Sequence, residues 1–246
     1  MTRLVLVHGS VGNGLSAWSE QVELGDAREL LVVNRPGFPP GPLVDHVDFE
    51  EHADWLVDQL RAGDHLCGHS YGGVVSLVAT GKFPELSSLT VIEPPAFGLA
   101  AGNPDVDALV TAAQNHWATC EREPHAFLTG FYRCITGRDV DLPNPLPADV
   151  EQGARTLMVE RGPWEAQPPL AAIADTGLPT LVVSGGWSPA FDAVCHELVS
   201  ALGSEYAVHP GAGHNAQAAP GFNDTLTAFL DRVESGRCDQ IGRAHV

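Results

Sequence analysis

The sequence predicts an α/β fold in which a parallel sheet of about six strands is flanked by helices. Short apolar runs without polar alternation recur along the chain, and each is bounded by Gly or Pro and followed by a helical pattern. Such runs are typical of strands buried on both faces of a parallel sheet. The repeated order of strand and helix indicates right-handed crossover connections. The predicted strands are Leu4–Val7, Leu30–Val33, His65–Cys67, Leu89–Ile92, Leu181–Val183 and Tyr206–Val208.

The stretches between these runs have the apolar spacing of amphipathic helices. In Phe49–Leu60 the apolar side chains recur every three or four positions, which brings them to one helical face. The other helices predicted for the sheet region are Val74–Thr80, Phe191–Leu202 and Phe222–Val233.

The segment 97–176 interrupts this order, because it contains no convincing strand and many prolines. A structureless loop of this length is uncommon in a compact domain, so we predict a helical cap inserted between core segments 1–96 and 177–235. Residues 236–246 lack apolar periodicity, and the last seven resemble a translated sequencing adapter; we expect this tail to be non-native. The helices predicted in the insertion are Val106–Thr119, His125–Ile135, Ala148–Val159 and Glu165–Ala174.

Composition excludes several classes of protein. The 246 residues include 13 basic and 31 acidic side chains, and the net charge is -18. Nucleic acid is therefore not an expected partner, since phosphate binding needs clustered Lys and Arg. No apolar run approaches the ~18 residues of a membrane span. The first strand begins at Leu4, which leaves no room for a secretion signal, so we expect a cytoplasmic protein. The five cysteines lack metal or redox spacing and are expected to be free thiols, and we predict no metal site.

The strongest chemical motif is Gly68-His69-Ser70-Tyr71-Gly72, which follows a predicted strand and opens directly into a helix. A G-x-S-x-G turn in this context is so tight that only small residues fit two positions before and after the serine. The serine is lifted to the carboxyl edge of the sheet, where the amide of Tyr71 can face a developing oxyanion. The alternative is an ordinary Gly-rich turn with a solvated serine.

Two further loops end strands at the same edge of the sheet. Gly9 and Ser10 follow the first strand, where the amide of Ser10, or alternatively that of Val11, could supply a second oxyanion donor. His214 lies in a Gly-rich loop after the last strand and could act as a general base toward Ser70. Taken alone, each loop could equally be structural.

Together these motifs resemble the α/β-hydrolase superfamily. The matching residues are His8-Gly9, Asn34-Arg35-Pro36-Gly37-Phe38, Gly68–Gly73 and Gly211-Ala212-Gly213-His214. The resemblance extends from Arg3 to about Val233 and implies an α/β-hydrolase fold with a helical cap. It also implies a nucleophile at Ser70, a base at His214 and oxyanion amides at Ser10 and Tyr71. The usual first two antiparallel strands are not expected, which predicts a sheet in which all six strands are parallel.

The acid of the expected triad is not at its usual place. In most relatives an Asp follows the penultimate strand, where this sequence has Ser188. We predict that Glu93 replaces it, because Glu93 ends the strand Leu89–Ile92 and some relatives carry the acid there. Asp192 is the rival, but its position in the first turn of a helix favours a dipole interaction instead.

These residues predict a serine hydrolase that cleaves an ester, thioester or related acyl bond of a small, largely apolar substrate without a cofactor. One alternative keeps the fold but changes the reaction to carbon–carbon hydrolysis, lyase chemistry or peroxidation. Another is a non-catalytic ligand-binding protein, which the displaced acid favours. The sequence leaves the oligomeric state open. Of the 31 acidic residues, nearly all are expected at the surface and Glu93 in the site.

Overall fold

The predicted parallel sheet is confirmed in the computed structural model, which describes the backbone of residues 2–243 and the side chains of residues 2–236. Its strand order is β2-β1-β3-β4-β5-β6, and every neighbouring pair is parallel. The strands are β1 (Arg3–Val7), β2 (Glu29–Val33), β3 (His65–His69), β4 (Ser88–Ile92), β5 (Thr180–Ser184) and β6 (Glu205–Val208). The carboxyl ends of β1, β3, β4, β5 and β6 therefore meet at one edge of the sheet.

Helices connect these strands and cover the sheet. The α-helices are α1 (Gly14–Ala17), α2 (Phe49–Val57), α3 (Tyr71–Lys82), α4 (Pro104–Thr119), α5 (Pro124–Thr136), α6 (Ala148–Met158), α7 (Leu170–Asp175), α8 (Pro189–Leu202) and α9 (Phe222–Arg243). Short 3-10 helices lie at Ser19–Asp26, Phe97–Ala100, Pro163–Glu165 and Ala216–Ala218.

The core lies on both faces of the sheet, as continuous apolar strands require. Val5 and Val7 of β1 pack in the cluster that includes α2, α3 and α8, whereas Leu4 and Leu6 pack with the side chains of α9. Alternate residues of one strand thus face opposite layers. Because β1 and β3 are buried on both faces, the loops at their carboxyl ends are held on a rigid support.

The segment between β4 and β5 is helical, but one of its predicted helices is wrong. Glu165–Ala174 was expected to be continuous, whereas the structure has a 3-10 turn at Pro163–Glu165 and then α7. Pro168 and Pro169 lie between the two, and proline lacks the N–H that helix continuation needs. The division into core and cap at 97 and 176 stays a prediction.

Helix α6 of this segment is attached to the loop that follows β2. Thr156 Oγ1 donates to Gly37 O at 2.7 Å, and Gln152 Nε2 donates to Gly41 O at 2.7 Å. Gly153 packs directly against the Val11 carbonyl. These contacts fix α6 beside the loops that follow β1 and β2.

Helix α9 extends further than the predicted Phe222–Val233. Of the predicted non-native tail, 236–246, the last three residues lie outside the described residues, as do the side chains from 237 onward. Within 2–243, no helix combines the length and apolar character needed to cross a membrane.

Candidate active site

Ser70 lies at the sharp turn between β3 and α3. Its backbone has φ 54° and ψ -128°, a conformation that L residues rarely adopt. The flanking glycines explain how the turn closes: a Cβ on Gly68 would lie 2.5 Å from Gly72 O, and one on Gly72 would lie 2.5 Å from Val7 O. The turn holds the serine hydroxyl at the carboxyl edge of the sheet, where it can react.

His214 lies in the loop that follows β6 and contacts this serine. Its Nε2 is 2.8 Å from Ser70 Oγ, and its ring packs against Phe191 at a centroid distance of 4.8 Å. Since Nε2 must accept the serine proton to act as a base, the ring proton belongs on Nδ1. This arrangement suits proton transfer from the serine.

Glu93 lies behind the histidine at the end of β4 and is fully buried. Its Oε2 is 3.4 Å from His214 Nδ1 and accepts a hydrogen bond from Trp187 Nε1 at 2.9 Å. Its Oε1 accepts from Gly185 N at 2.5 Å. A buried carboxylate needs such donors because burial penalises its charge. The loop that carries the acid in most relatives thus supplies donors to Glu93.

The alternative candidate for the triad acid, Asp192, is hydrogen-bonded to a residue of β5. Its Oδ1 accepts a hydrogen bond from Ser184 Oγ, and the same hydroxyl accepts one from Gly186 N. Asp192 lies in the first turn of α8, as expected. The structure therefore brings Ser70, His214 and Glu93 together and gives Asp192 a partner in β5.

The two residues predicted to supply oxyanion amides flank the serine. Ser10 and Tyr71 line the same small cavity as Ser70. A Cβ on Gly9 would lie 2.8 Å from Ser70 Cβ, so the loop after β1 passes directly beside the serine. Tyr71 is the first residue of α3, where amides have no intrahelical acceptor and the helix dipole favours negative charge.

Backbone strain is concentrated at this site. Among residues 2–243, the non-glycine residues with positive φ are Val11 at 73°, Ser70 at 54° and Glu93 at 48°. Such conformations cost about 1–3 kcal/mol each and persist only where the surroundings enforce them. All three residues end or follow strands at the carboxyl edge of the sheet, where the predicted site residues lie.

His69 is a site residue that the sequence reasoning missed. Its Nε2 lies 2.9 Å from His214 O, and the two imidazole rings are 4.9 Å apart. Burial, together with the neighbouring His214, lowers the pKa of His69 to about 3. His69 is therefore neutral at pH 7 and donates to the histidine loop without adding a positive charge.

A buried ion pair adjoins the serine and was also missed. Arg35 and Glu160 are joined at 3.0 Å, and both side chains are almost fully buried. Glu160 Oε2 accepts from Ser10 Oγ at 2.5 Å, while Arg35 donates to the carbonyls of His8 at 3.0 Å and Gly9 at 2.8 Å. Burial raises the pKa of Glu160, and the Arg35 charge opposes that rise. The pair fixes the loop after β1 to the end of α6.

Two spaces of different size adjoin the reactive atoms, and Ser70 and His214 line both of them. One is a small cavity of about 40 Å³ with mostly apolar walls. The other is a larger groove of about 810 Å³ that runs along the loop 211–215. Among the described residues, no group of three His, Cys, Asp or Glu side chains is arranged to hold a metal ion.

Comparisons with known proteins agree with this architecture. The chain is similar to an alpha/beta hydrolase from Sphaerobacter thermophilus (TM-score 0.66, 23% identity, 93% of this chain and 92% of that one). It is also similar to a carboxylesterase structure from Nitrososphaera gargenis (TM-score 0.64, 15% identity, 96% and 92% covered). At these identities the likeness concerns the fold alone.

Another relative has a higher sequence identity than these structures, but over a shorter region of the chain. The dihydrolipoyllysine-residue acetyltransferase component of the acetoin cleaving system of Pseudomonas putida is 33% identical over 122 residues. The match covers 47% of this chain and only a third (33%) of that protein. The profile described as the alpha/beta hydrolase family matches residues 4–223, which is most of the chain. The chain therefore belongs to the alpha/beta hydrolase family.

Proposed function

We propose that the protein is a serine hydrolase that cleaves an ester, thioester or related acyl bond of a small, largely apolar substrate through an acyl-enzyme. The observation that carries the proposal is the distance of 2.8 Å between Ser70 Oγ and His214 Nε2, with the buried Glu93 behind the imidazole. A nucleophile, its base and an orienting acid in this order form the arrangement used for acyl transfer on several folds.

In the first half of the reaction, Ser70 Oγ attacks the substrate carbonyl carbon as its proton moves to His214 Nε2. The carbonyl oxygen becomes an oxyanion, which the amides of Ser10 and Tyr71 stabilise. When the tetrahedral intermediate collapses, the bond to the leaving group breaks and His214 returns the proton to the leaving oxygen or sulfur. The product of this half is an ester of Ser70.

Water completes the reaction by the same steps. His214 Nε2 removes a proton from water while the water oxygen attacks the acyl carbon, and the proton then passes to Ser70 Oγ as the acid is released. Glu93 holds Nδ1–H and stabilises the imidazolium in both halves without itself being protonated. Trp187 and Gly185 donate to Glu93 and keep its carboxylate in place.

The neutral state of His69 supports this role for His214. A second positive charge 4.9 Å from the catalytic ring would oppose formation of the imidazolium. With its pKa lowered to about 3, His69 remains uncharged while His214 gains its proton. The carboxylesterase named among the similar structures is consistent with ester cleavage on this fold, although fold alone does not fix the reaction.

The test is an assay with p-nitrophenyl esters on the purified protein beside the variants Ser70→Ala, Glu93→Gln and Asp192→Asn. We expect Ser70→Ala to reduce the rate to background and Glu93→Gln to lower kcat by about 10³-fold or more, since an amide cannot balance the imidazolium charge. Asp192→Asn should keep near-normal activity because Asp192 hydrogen-bonds to Ser184.

Each outcome has a distinct meaning. Equal rates for the wild type and Ser70→Ala on all esters would favour a ligand-binding protein or one of the other reactions known on this fold. If Asp192→Asn were inactive while Glu93→Gln remained active, the acid of the triad would be Asp192 rather than Glu93. Circular dichroism of each variant shows whether a lost activity comes from a lost fold.

A further inference from the structure

The two spaces beside Ser70 differ about twentyfold in volume, and this difference bears on substrate choice. A bound ester has two arms, the acyl chain and the leaving group, and both must fit around one carbonyl carbon held by the serine. The cavity offers about 40 Å³ and the groove about 810 Å³. The cavity is therefore the more restrictive of the two spaces for the group that enters it.

The walls of the cavity fit an apolar occupant. They include Phe97 and Leu157, which are buried, and the half-buried Trp164. The hydroxyl and carboxylate groups on the wall are already engaged: Ser10 Oγ with Glu160 at 2.5 Å, and the Tyr71 hydroxyl with the Arg161 carbonyl at 3.1 Å. These groups do not need a polar substrate to satisfy them, so a short hydrocarbon chain is the occupant that they favour.

The groove is the larger of the two spaces, and its walls are more polar than those of the cavity. It is lined by the loop 211–215, which carries His214, and by the end of α5 with the residues after it. His214 must hand its proton to the leaving group, and water must then reach the acyl carbon through the space that the leaving group vacates. The groove has the volume for a larger group to leave and for water to enter, which the small cavity lacks.

We propose that the small apolar cavity is the acyl pocket and that the larger groove holds the leaving group. The substrates are then esters or thioesters of short, apolar carboxylic acids with larger alcohols, phenols or thiols. This inference rests on the acyl-transfer function proposed above and names its substrate class.

The experiment varies one arm of the ester at a time. With p-nitrophenol as the constant leaving group, kcat/KM is measured for acetate, butyrate, hexanoate and octanoate. We expect the acetate or butyrate to exceed the octanoate by at least about tenfold, since methylenes without room in a pocket are rejected on that scale. With acetate as the constant acyl group, esters of ethanol, 2-phenylethanol and 2-(2-naphthyl)ethanol should show no loss as the alcohol grows.

Three variants test which space the acyl chain occupies and which the leaving group occupies. Trp164→Ala widens the cavity, so it should shift the preferred acyl chain to longer lengths, whereas Ala113→Val narrows the cavity and should depress butyrate relative to acetate. Tyr132→Ala is the matched control, because Tyr132 lines the groove and not the cavity. It should alter the dependence on the alcohol and leave the acyl profile unchanged.

The reverse pattern would overturn the assignment. If octanoate were preferred while larger alcohols were rejected, or if Tyr132→Ala rather than the cavity variants shifted the acyl profile, the acyl chain would occupy the groove. Labelling of Ser70 by a small fluorophosphonate separates this failure from failure of the proposed function. Labelled, active protein with the wrong profile refutes only the pocket assignment, whereas unlabelled, inactive protein refutes the function itself.

Discussion

The buried ion pair between Arg35 and Glu160 allows a prediction about stability. Replacing Glu160 by Gln keeps the size of the side chain and one acceptor oxygen, but it removes the negative charge and replaces the second acceptor by a donor. The Arg35 side chain is fully buried, so its positive charge would remain out of water without a counterion. We therefore expect Glu160→Gln to destabilise the fold strongly.

The contacts of Arg35 set the magnitude. Removing one partner of a buried pair costs about 3–5 kcal/mol, because the other charge stays buried and uncompensated. Arg35 would still donate to the carbonyls of His8 and Gly9, which continue to stabilise the guanidinium. These two acceptors place the expected loss at the lower end of the range, about 3 kcal/mol in the free energy of unfolding.

Urea unfolding followed by tryptophan fluorescence measures this loss. Asp139→Asn is the matched control, since the ion pair between Arg133 and Asp139 is mostly exposed and its loss should change the free energy of unfolding by less than about 1 kcal/mol. If Glu160→Gln were no less stable than Asp139→Asn, the buried pair would not stabilise the fold and this reasoning would be refuted.

Three other predictions concern activity, acid stability and the serine turn. Trp187→Phe removes the indole donor to Glu93 and should lower kcat about tenfold, measured on p-nitrophenyl acetate. The lowered pKa of His69 means that the unfolded chain binds a proton between about pH 3 and 6.5 that the native protein does not, so acid destabilises the fold. His69→Gln should remove about 1.4 kcal/mol per pH unit of this slope between about pH 5.5 and 4, where the unfolded histidine is protonated and the folded one is not. Gly72→Ala should destabilise by about 2 kcal/mol or more in urea unfolding, because its Cβ would overlap the carbonyls of Val7 and His8.

Specific results would contradict each of these three. A Trp187→Phe enzyme with unchanged kcat would show that the indole donor does not support Glu93. An unchanged slope of stability against pH in His69→Gln would mean that His69 is charged in the fold or does not titrate there. Gly236→Ala is the control for the glycine, because nothing lies within 4 Å of its added Cβ. Equal stability of the two alanine variants would exclude a steric need at Gly72.

The sheet was predictable because its strands are continuous apolar runs. Such runs identify a strand even when its first and last residues are predicted wrongly. The ends themselves depend on pairing: β3 continues to His69, two residues past its apolar run, because its backbone pairs with β4 up to Ile92. The 3-10 helix at Ser19–Asp26 was not predicted, since its sequence has no apolar period. Local pattern therefore identifies the elements, while neighbours in space set their limits.

The predicted site residues came from motifs whose positions the fold determines. Ser70, Glu93 and His214 each end or follow a strand, and parallel strands bring such positions to one edge. Glu160 has no comparable signal, because carboxylates were expected at the surface. Its burial depends on Arg35, which is 125 positions away in the chain. A pair so distant in sequence becomes visible only when α6 packs against the loop after β2.

The central claim is that Ser70 is a nucleophile activated by His214. It is tested most directly by incubating the protein with a fluorophosphonate and mapping the modified peptide by mass spectrometry. We expect one adduct per chain on Ser70, and a much slower reaction in His214→Ala, because the base is then missing. Failure to modify Ser70 in the folded wild-type protein, or an equal rate of modification in His214→Ala, would contradict the claim.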